Sequence, residues 1–195
     1  NMNETELCKL AFRYKSDKCS RRGKHTYTEY YYDLLKDKRE SIKKVLEIGI
    51  WRGSSLRMWR DFFPNAKIYG ADFRESFLME RDRIESILCD QSSQSDLERL
   101  IEKTGSDIDL FIDDGSHLPH DQVFTCLTLM PLLNKAVTYI IEDVADPTII
   151  DKLGEYNIEV PSIRQPKKRY DNRLVVVRHK SAPSKEIIFY TNNQL

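Results

Sequence analysis

The stretch Val45-Leu46-Glu47-Ile48-Gly49-Ile50-Trp51-Arg52-Gly53-Ser54-Ser55 narrows the possible folds more than any other part of the chain. A short apolar run gives way to small residues, and a helical pattern follows from about Leu56 to Phe63. Strand, tight turn and helix in that order open nucleotide-binding α/β domains. A dinucleotide site wants G-x-G-x-x-G, with a helix N-terminus beneath a pyrophosphate. The pattern here is Glu47-x-Gly49-x-x-x-Gly53. A carboxylate just ahead of the first glycine repels a pyrophosphate and suits a ligand with a cationic group, which disfavours a nicotinamide-dependent oxidoreductase.

On either side of that stretch the periodicities divide the chain into a cap and a core. Glu4 to Tyr14 and Thr28 to about Lys38 read as helices, joined by a polar loop from Lys15 to Tyr27. From Val45 onward strands and helices alternate. Strands are expected at 67–73, 83–89, 108–114, 137–144, 157–164 and 173–180, with an edge strand at Glu186–Tyr190; helices are expected at 94–104, 120–133 and 148–153. Ser93 or Ser95 would cap the helix that Gly105 stops. Repeated βα units imply right-handed crossovers and a doubly wound, mostly parallel sheet covered on both faces. The last two strands lie close enough in sequence to pair antiparallel, and the length suits one domain: residues 1–40 as a helical cap, 41–195 as the α/β core.

In such a sheet the ligand lies outside the carboxyl ends of the strands, and here those ends are acidic. Asp72 ends the second strand, about twenty residues past the glycine loop, where a carboxylate accepts hydrogen bonds from ribose hydroxyls. Asp90 and Gln91 follow the third strand, placed either to read the edge of an adenine or to serve as a helix N-cap cluster. The fourth strand runs into Asp113-Asp114-Gly115-Ser116-His117 and the fifth into Glu142-Asp143. Four converging carboxylates repel one another unless a cation or donors hold them. A divalent metal on Asp114 with Glu142, Asp143 or both is the simplest resolution, magnesium or manganese by its preference for oxygen ligands. His117 is a candidate general base near neutral pH. Asp113 is grouped with the cofactor-binding residues, with the alternative that it turns back into the fold to accept backbone amides. His120 is read as starting the next helix.

Composition limits the partners. Lys+Arg and Asp+Glu both number 31, so net charge is zero and nothing favours nucleic acid or an anionic membrane. There is no apolar stretch of transmembrane length and no signal-peptide pattern. Cys8, Cys19, Cys89 and Cys126 form no C-x-x-C pair and read as reduced thiols of a cytoplasmic protein, with no zinc site.

Several stretches together resemble one branch of the class I S-adenosylmethionine (SAM) methyltransferases, the macrocin O-methyltransferase family, which includes the mycinamicin sugar methyltransferases. They are Ser16-Asp17-Lys18 with His25-x-Tyr27, Leu46-Glu47-Ile48-Gly49-Ile50, Asp113 to His117, and Tyr139 to Val144. The resemblance covers roughly Lys15 to Val177. It implies a seven-stranded Rossmann-like sheet and a metal-dependent O-methyltransferase acting on a sugar hydroxyl. It also implies metal on Asp114 and Asp143, with Glu142 added as a third ligand, and His117 as base. Glu47, Gly49, Gly53 and Ser55 would hold the methionine end of SAM, Asp72 the ribose, and Asp90 with Gln91 the adenine. The loop carrying Lys18, His25 and Tyr27 is polar and aromatic, a composition that suits either a lid over the site or a simple surface loop. Catechol O-methyltransferase is more distantly similar, so a catechol or phenol acceptor stays open, as does a non-catalytic SAM- or metal-binding subunit. The N-terminal extension that builds oligomers and substrate pockets in some family members has no counterpart here, which leaves acceptor and any homo-oligomer open.

Overall fold

Strict alternation along the strands builds this molecule around one sheet with two apolar faces. In the computed structural model, which describes residues 4–22, 24–164 and 170–180, seven strands form a single sheet. They are β1 (Lys44–Ile48), β2 (Lys67–Asp72), β3 (Ile84–Leu88), β4 (Leu110–Asp113), β5 (Thr138–Ile141), β6 (Asn157–Glu159) and β7 (Val175–Arg178). Their order is β3-β2-β1-β4-β5-β7-β6. The first five run parallel, and β7 lies antiparallel between β5 and β6, as the short spacing of the last strands predicts.

Among the described residues five α-helices cover the two faces: α1 (Glu6–Arg13), α2 (Tyr27–Leu35), α3 (Ser54–Phe62), α4 (Gln94–Thr104) and α5 (Pro119–Leu129). Successive side chains of a strand point to opposite faces. Val45, Ile68, Leu110, Ile112, Ile140 and Val176 therefore pack with α1, α2 and α3, around Tyr31, Trp59 and Phe62. Leu46, Ile48, Phe111, Tyr139, Ile141 and Val177 pack with α4 and α5, around Leu97, Leu100 and Leu129. The N-terminal helices are thus one layer of the domain's core and not an appendage to it.

Element ends differ from expectation where local chemistry intervenes. The fifth helix stops at Leu129 and continues only as a 3-10 turn, Met130–Leu132, because Pro131 has no N–H to give. The segment at Pro147–Leu153 is 3-10 throughout, and β6 is three residues long. Ser93 caps α4 through Asp96 N, and Gly105 ends it with φ 83°. The expected strand at Glu186–Tyr190 and residues 165–169 of the expected late loop lie outside the described residues. No helix among the described residues is long and apolar enough to cross a membrane.

The order of strands reverses between β1 and β4, and their carboxyl ends lie level: Ile48 pairs with Asp113, which pairs with Ile141. Gly49 makes that junction tight. Its φ is +99°, and a Cβ there would run into the carbonyl oxygen of Asp114. The glycine is demanded by the chain's own close approach before any ligand is considered. Gly49→Ala is therefore expected to lower the unfolding free energy by roughly 2–4 kcal/mol in a urea titration. A variant as stable as the parent would contradict this account of the junction.

Candidate functional site

Strand parity sorts the acidic ends before any ligand does. Glu47 has the parity of Val45, Asp114 that of Ile112, and Glu142 that of Ile140, so all three leave their strands on the α1–α3 side. Asp113 leaves on the other. It is 2% exposed and accepts hydrogen bonds from Gly115 N (3.1 Å) and Gln91 Nε2 (3.2 Å). Burial pushes its carboxyl up to about 7, against the pull of those donors. Gln91 is committed in the same way: its amide donates to Asp113 and Thr125 and accepts from Ser116 N at 2.7 Å. The structure therefore gives both residues, expected among the cofactor contacts, full internal sets of partners, and Asp113 does not line the cleft.

The three carboxylates on the near side meet a cation from the chain itself. Lys18 is 1% exposed, and its ammonium reaches Glu47 Oε1 (3.2 Å), Asp114 Oδ2 (2.8 Å) and Glu142 Oε2. Burial alone would discharge the amine; Asp114, Glu142 and Glu47 together raise it well above the ordinary lysine value. Its main chain is fixed too, because Lys18 O accepts the amides of Tyr27 and Thr28 at the start of α2. Glu47 also accepts from Ser55 Oγ (2.6 Å) and Trp59 Nε1 (2.6 Å) and is fully buried. Burial raises the carboxyls of Glu47 and Glu142, with Lys18 opposing.

Asp143 should face away by parity, but a left-handed backbone (φ 54°) returns it to the cleft. Tyr27 OH donates to its Oδ1 at 2.5 Å and accepts from its amide at 3.2 Å. His25 stacks on Tyr27, places Nε2 3.4 Å from Asp143 Oδ1, and hydrogen-bonds Asn172 through Nδ1. His117, also left-handed (φ 62°), sits half exposed with Nε2 3.5 Å from Asp143 Oδ2. Of the five described non-glycine residues with positive φ, Lys15, Trp51, His117 and Asp143 all line the cleft. Such conformations cost about 1–3 kcal/mol each and gather where a site must hold side chains in set positions.

These elements enclose a cleft of about 510 Å³ along the carboxyl ends of β1 to β5, a size that takes a nucleotide-like ligand. Its wall carries Gly49, Ser55, Asp72, Asp90, Asp114, His117 and Asp143, and its rim the exposed rings of Trp51 and Phe73. Gly53 caps α3 beside it, at φ 70°. Asp72 accepts from Ile50 N (2.9 Å) and Arg74 N (3.0 Å), one bond per oxygen. Asp90 is exposed and ties back to Ser92. Among the described residues, two sets of three donors are compact enough to hold a metal ion, each within 4.8 Å: Asp114, His117 and Asp143, and Glu47, Asp114 and Glu142. Lys18 contacts every member of the second set. Lys18, His25 and Tyr27, on a loop read from the sequence as a lid or a surface loop, are all buried, while Lys15, Ser16 and Asp17 of the same loop line the cleft. The available signal was the charge count, since four acids without a nearby cation cannot be buried.

No protein-family model matches the chain. Over 145 residues it is 36% identical to 8-demethyl-8-alpha-L-rhamnosyl tetracenomycin-C 2'-O-methyltransferase of Streptomyces olivaceus, a match covering 71% of this chain and 37% of that protein. It is 34% identical over 146 residues to mycinamicin VI 2''-O-methyltransferase of Micromonospora griseorubida, covering 71% and 36% respectively. The chain thus spans little more than a third of the length of these relatives. Among solved structures, MycE methyltransferase from the mycinamycin biosynthetic pathway, in complex with Mg, SAH and mycinamycin VI, superposes with a TM-score of 0.74 at 27% identity, covering 90% of this chain and 55% of that one.

Tyr27 OH is the strongest single restraint on Asp143. Tyr27→Phe should lower unfolding free energy by roughly 1–3 kcal/mol, since the bond is to a buried carboxylate. Denaturant unfolding without metal checks this, and no change would show that Asp143 is held by other means.

Proposed function

The chain belongs to the class I SAM-dependent methyltransferases, similar to their macrocin and mycinamicin sugar O-methyltransferases, and from that premise we propose that it methylates a hydroxyl of a sugar or glycosylated small molecule in a reaction requiring a divalent cation. The observation that carries this reading is a nucleotide-sized cleft in which a ribose-type carboxylate, Asp72, shares one wall with the donor set Asp114, His117 and Asp143. Residues 1–195 are read as one such domain, with 1–40 as its cap.

Each residue's surroundings support a role. Each oxygen of Asp72 accepts one backbone amide and keeps capacity for a ribose hydroxyl. The exposed ring of Phe73 beside it offers a stacking surface for a base, and Asp90 an acceptor for its edge. Gly49 and Ser55 would lie along the methionine end, over a Glu47 already held by Ser55, Trp59 and Lys18. The carboxylates of Asp114 and Asp143 fit a hard divalent cation, magnesium or manganese, and leave the imidazole of His117 free beside it. When bound, SAM would supply an electrophilic methyl and the cation would acidify and orient acceptor hydroxyls. His117 is exposed enough to meet an acceptor, and Asp143 orients its ring, as a general base requires. The committed partners of Asp113 and Gln91 support structural work for these two, whereas Glu142 is held by Lys18 through one oxygen only. Four free thiols and a net charge of zero support a cytoplasmic enzyme of small molecules.

The test is release of S-adenosylhomocysteine from SAM and magnesium across sugars, glycosides and catechols. Turnover with a glycoside and loss of it with chelator are expected; no release with any acceptor would refute the reading, and release with catechols alone would move the acceptor class. His117→Ala should cut turnover by roughly 10²–10⁴-fold while SAM affinity stays within about threefold. Unchanged turnover would remove His117 as base.

A further inference from the structure

The donor set for the divalent cation and the buried ammonium of Lys18 share a ligand. Asp114 belongs both to the set with His117 and Asp143 and to the deeper set with Glu47 and Glu142. Lys18 Nζ touches a carboxylate oxygen of all three members of the deeper set. The deeper position is therefore already filled by a cation of the chain. One of its atoms is unserved: Glu142 is 1% exposed, and its Oε1 has no hydrogen-bond partner among the described residues.

An ammonium 2.8 Å from Asp114 Oδ2 and a magnesium about 2.1 Å from the same carboxylate stand no more than a few ångströms apart. Positive charges at that separation repel strongly where water is excluded. The ammonium has somewhere to go. Glu47 and Glu142 keep hold of it, the orphaned oxygen of Glu142 offers another acceptor, and a lysine stem is flexible.

We propose that Lys18 is a built-in competitor of the divalent cation: its ammonium keeps Asp114 and Glu142 in place without metal, withdraws from Asp114 as metal enters, and so sets the metal affinity of the site. The proposal rests on the reading above that Asp114 and Asp143 take a divalent cation. It assigns Lys18 a positioning role toward the site, with no contact to acceptor or SAM required.

Manganese binding followed by electron paramagnetic resonance, on the wild type and Lys18→Met without SAM or acceptor, separates the two ideas. Binding at least about tenfold tighter in Lys18→Met is expected from removing an adjacent positive charge. The metal-free variant should also melt below the wild type and gain more from saturating manganese than the wild type does. Wild-type binding with equal or weaker binding in the variant overturns the competition and leaves the metal site standing. Absence of binding in both proteins overturns both. A measurement on the wild type alone stands even if the variant does not fold: ¹⁵N NMR of lysine ammonium groups during a magnesium titration. The Lys18 signal, protected by burial, should shift or vanish over the concentrations that saturate the site; a signal unchanged at saturation overturns the proposal.

Discussion

One ammonium makes the end of this sheet possible. Glu47, Asp114 and Glu142 end three adjacent parallel strands and emerge on the same face, two of them fully buried. Without Lys18 they would be a knot of like charge in a water-poor interior, where removing one partner of a buried pair costs roughly 3–5 kcal/mol. Because Lys18 comes from the segment between α1 and α2, the charge cluster also fastens the N-terminal layer to the sheet. Fold and site therefore share a single constraint: the cap must dock for the acids to coexist, and the acids must converge for the cap to have a buried partner.

Around that pivot the backbone is held in conformations it would not choose alone. Gly49 passes so close to Asp114 O that no side chain fits, which brings the glycine loop and the Asp114–His117 loop into one wall. Asp143 and His117 adopt left-handed backbones, and Asp143 is pinned by Tyr27 and His25. The result is a shallow donor set open to the cleft above a deep one closed by lysine. A chain that needed only a stable sheet would have no use for either strained residue.

Much of this was legible in the sequence, and what was not has a physical reason. The alternation of 2 and 3.6 periods gives the parallel core, the late antiparallel strand and the acidic strand ends, because parity and period are local properties. Parity extended one residue further also separates Asp113 from Asp114, in line with the alternative that Asp113 turns back into the fold. Asp143 escapes such reasoning, since a left-handed residue breaks alternation and no local pattern announces it. Lys18 escapes for a different reason: a polar stretch such as Lys15 to Tyr27 usually lies in solvent, and only tertiary docking turns its lysine inward. Three side chains of that loop are buried, and its first residues, Lys15 to Asp17, line the cleft.

The central claim is that the cleft binds SAM with a divalent cation beside it on Asp114 and Asp143. Anomalous diffraction at the manganese edge, from crystals grown with manganese and S-adenosylhomocysteine, tests it most directly. The account predicts one anomalous peak in contact with both carboxylates and the ribose of the nucleoside against Asp72. A nucleoside in the cleft with no peak at Asp114, or a peak elsewhere with the cleft empty, would contradict it.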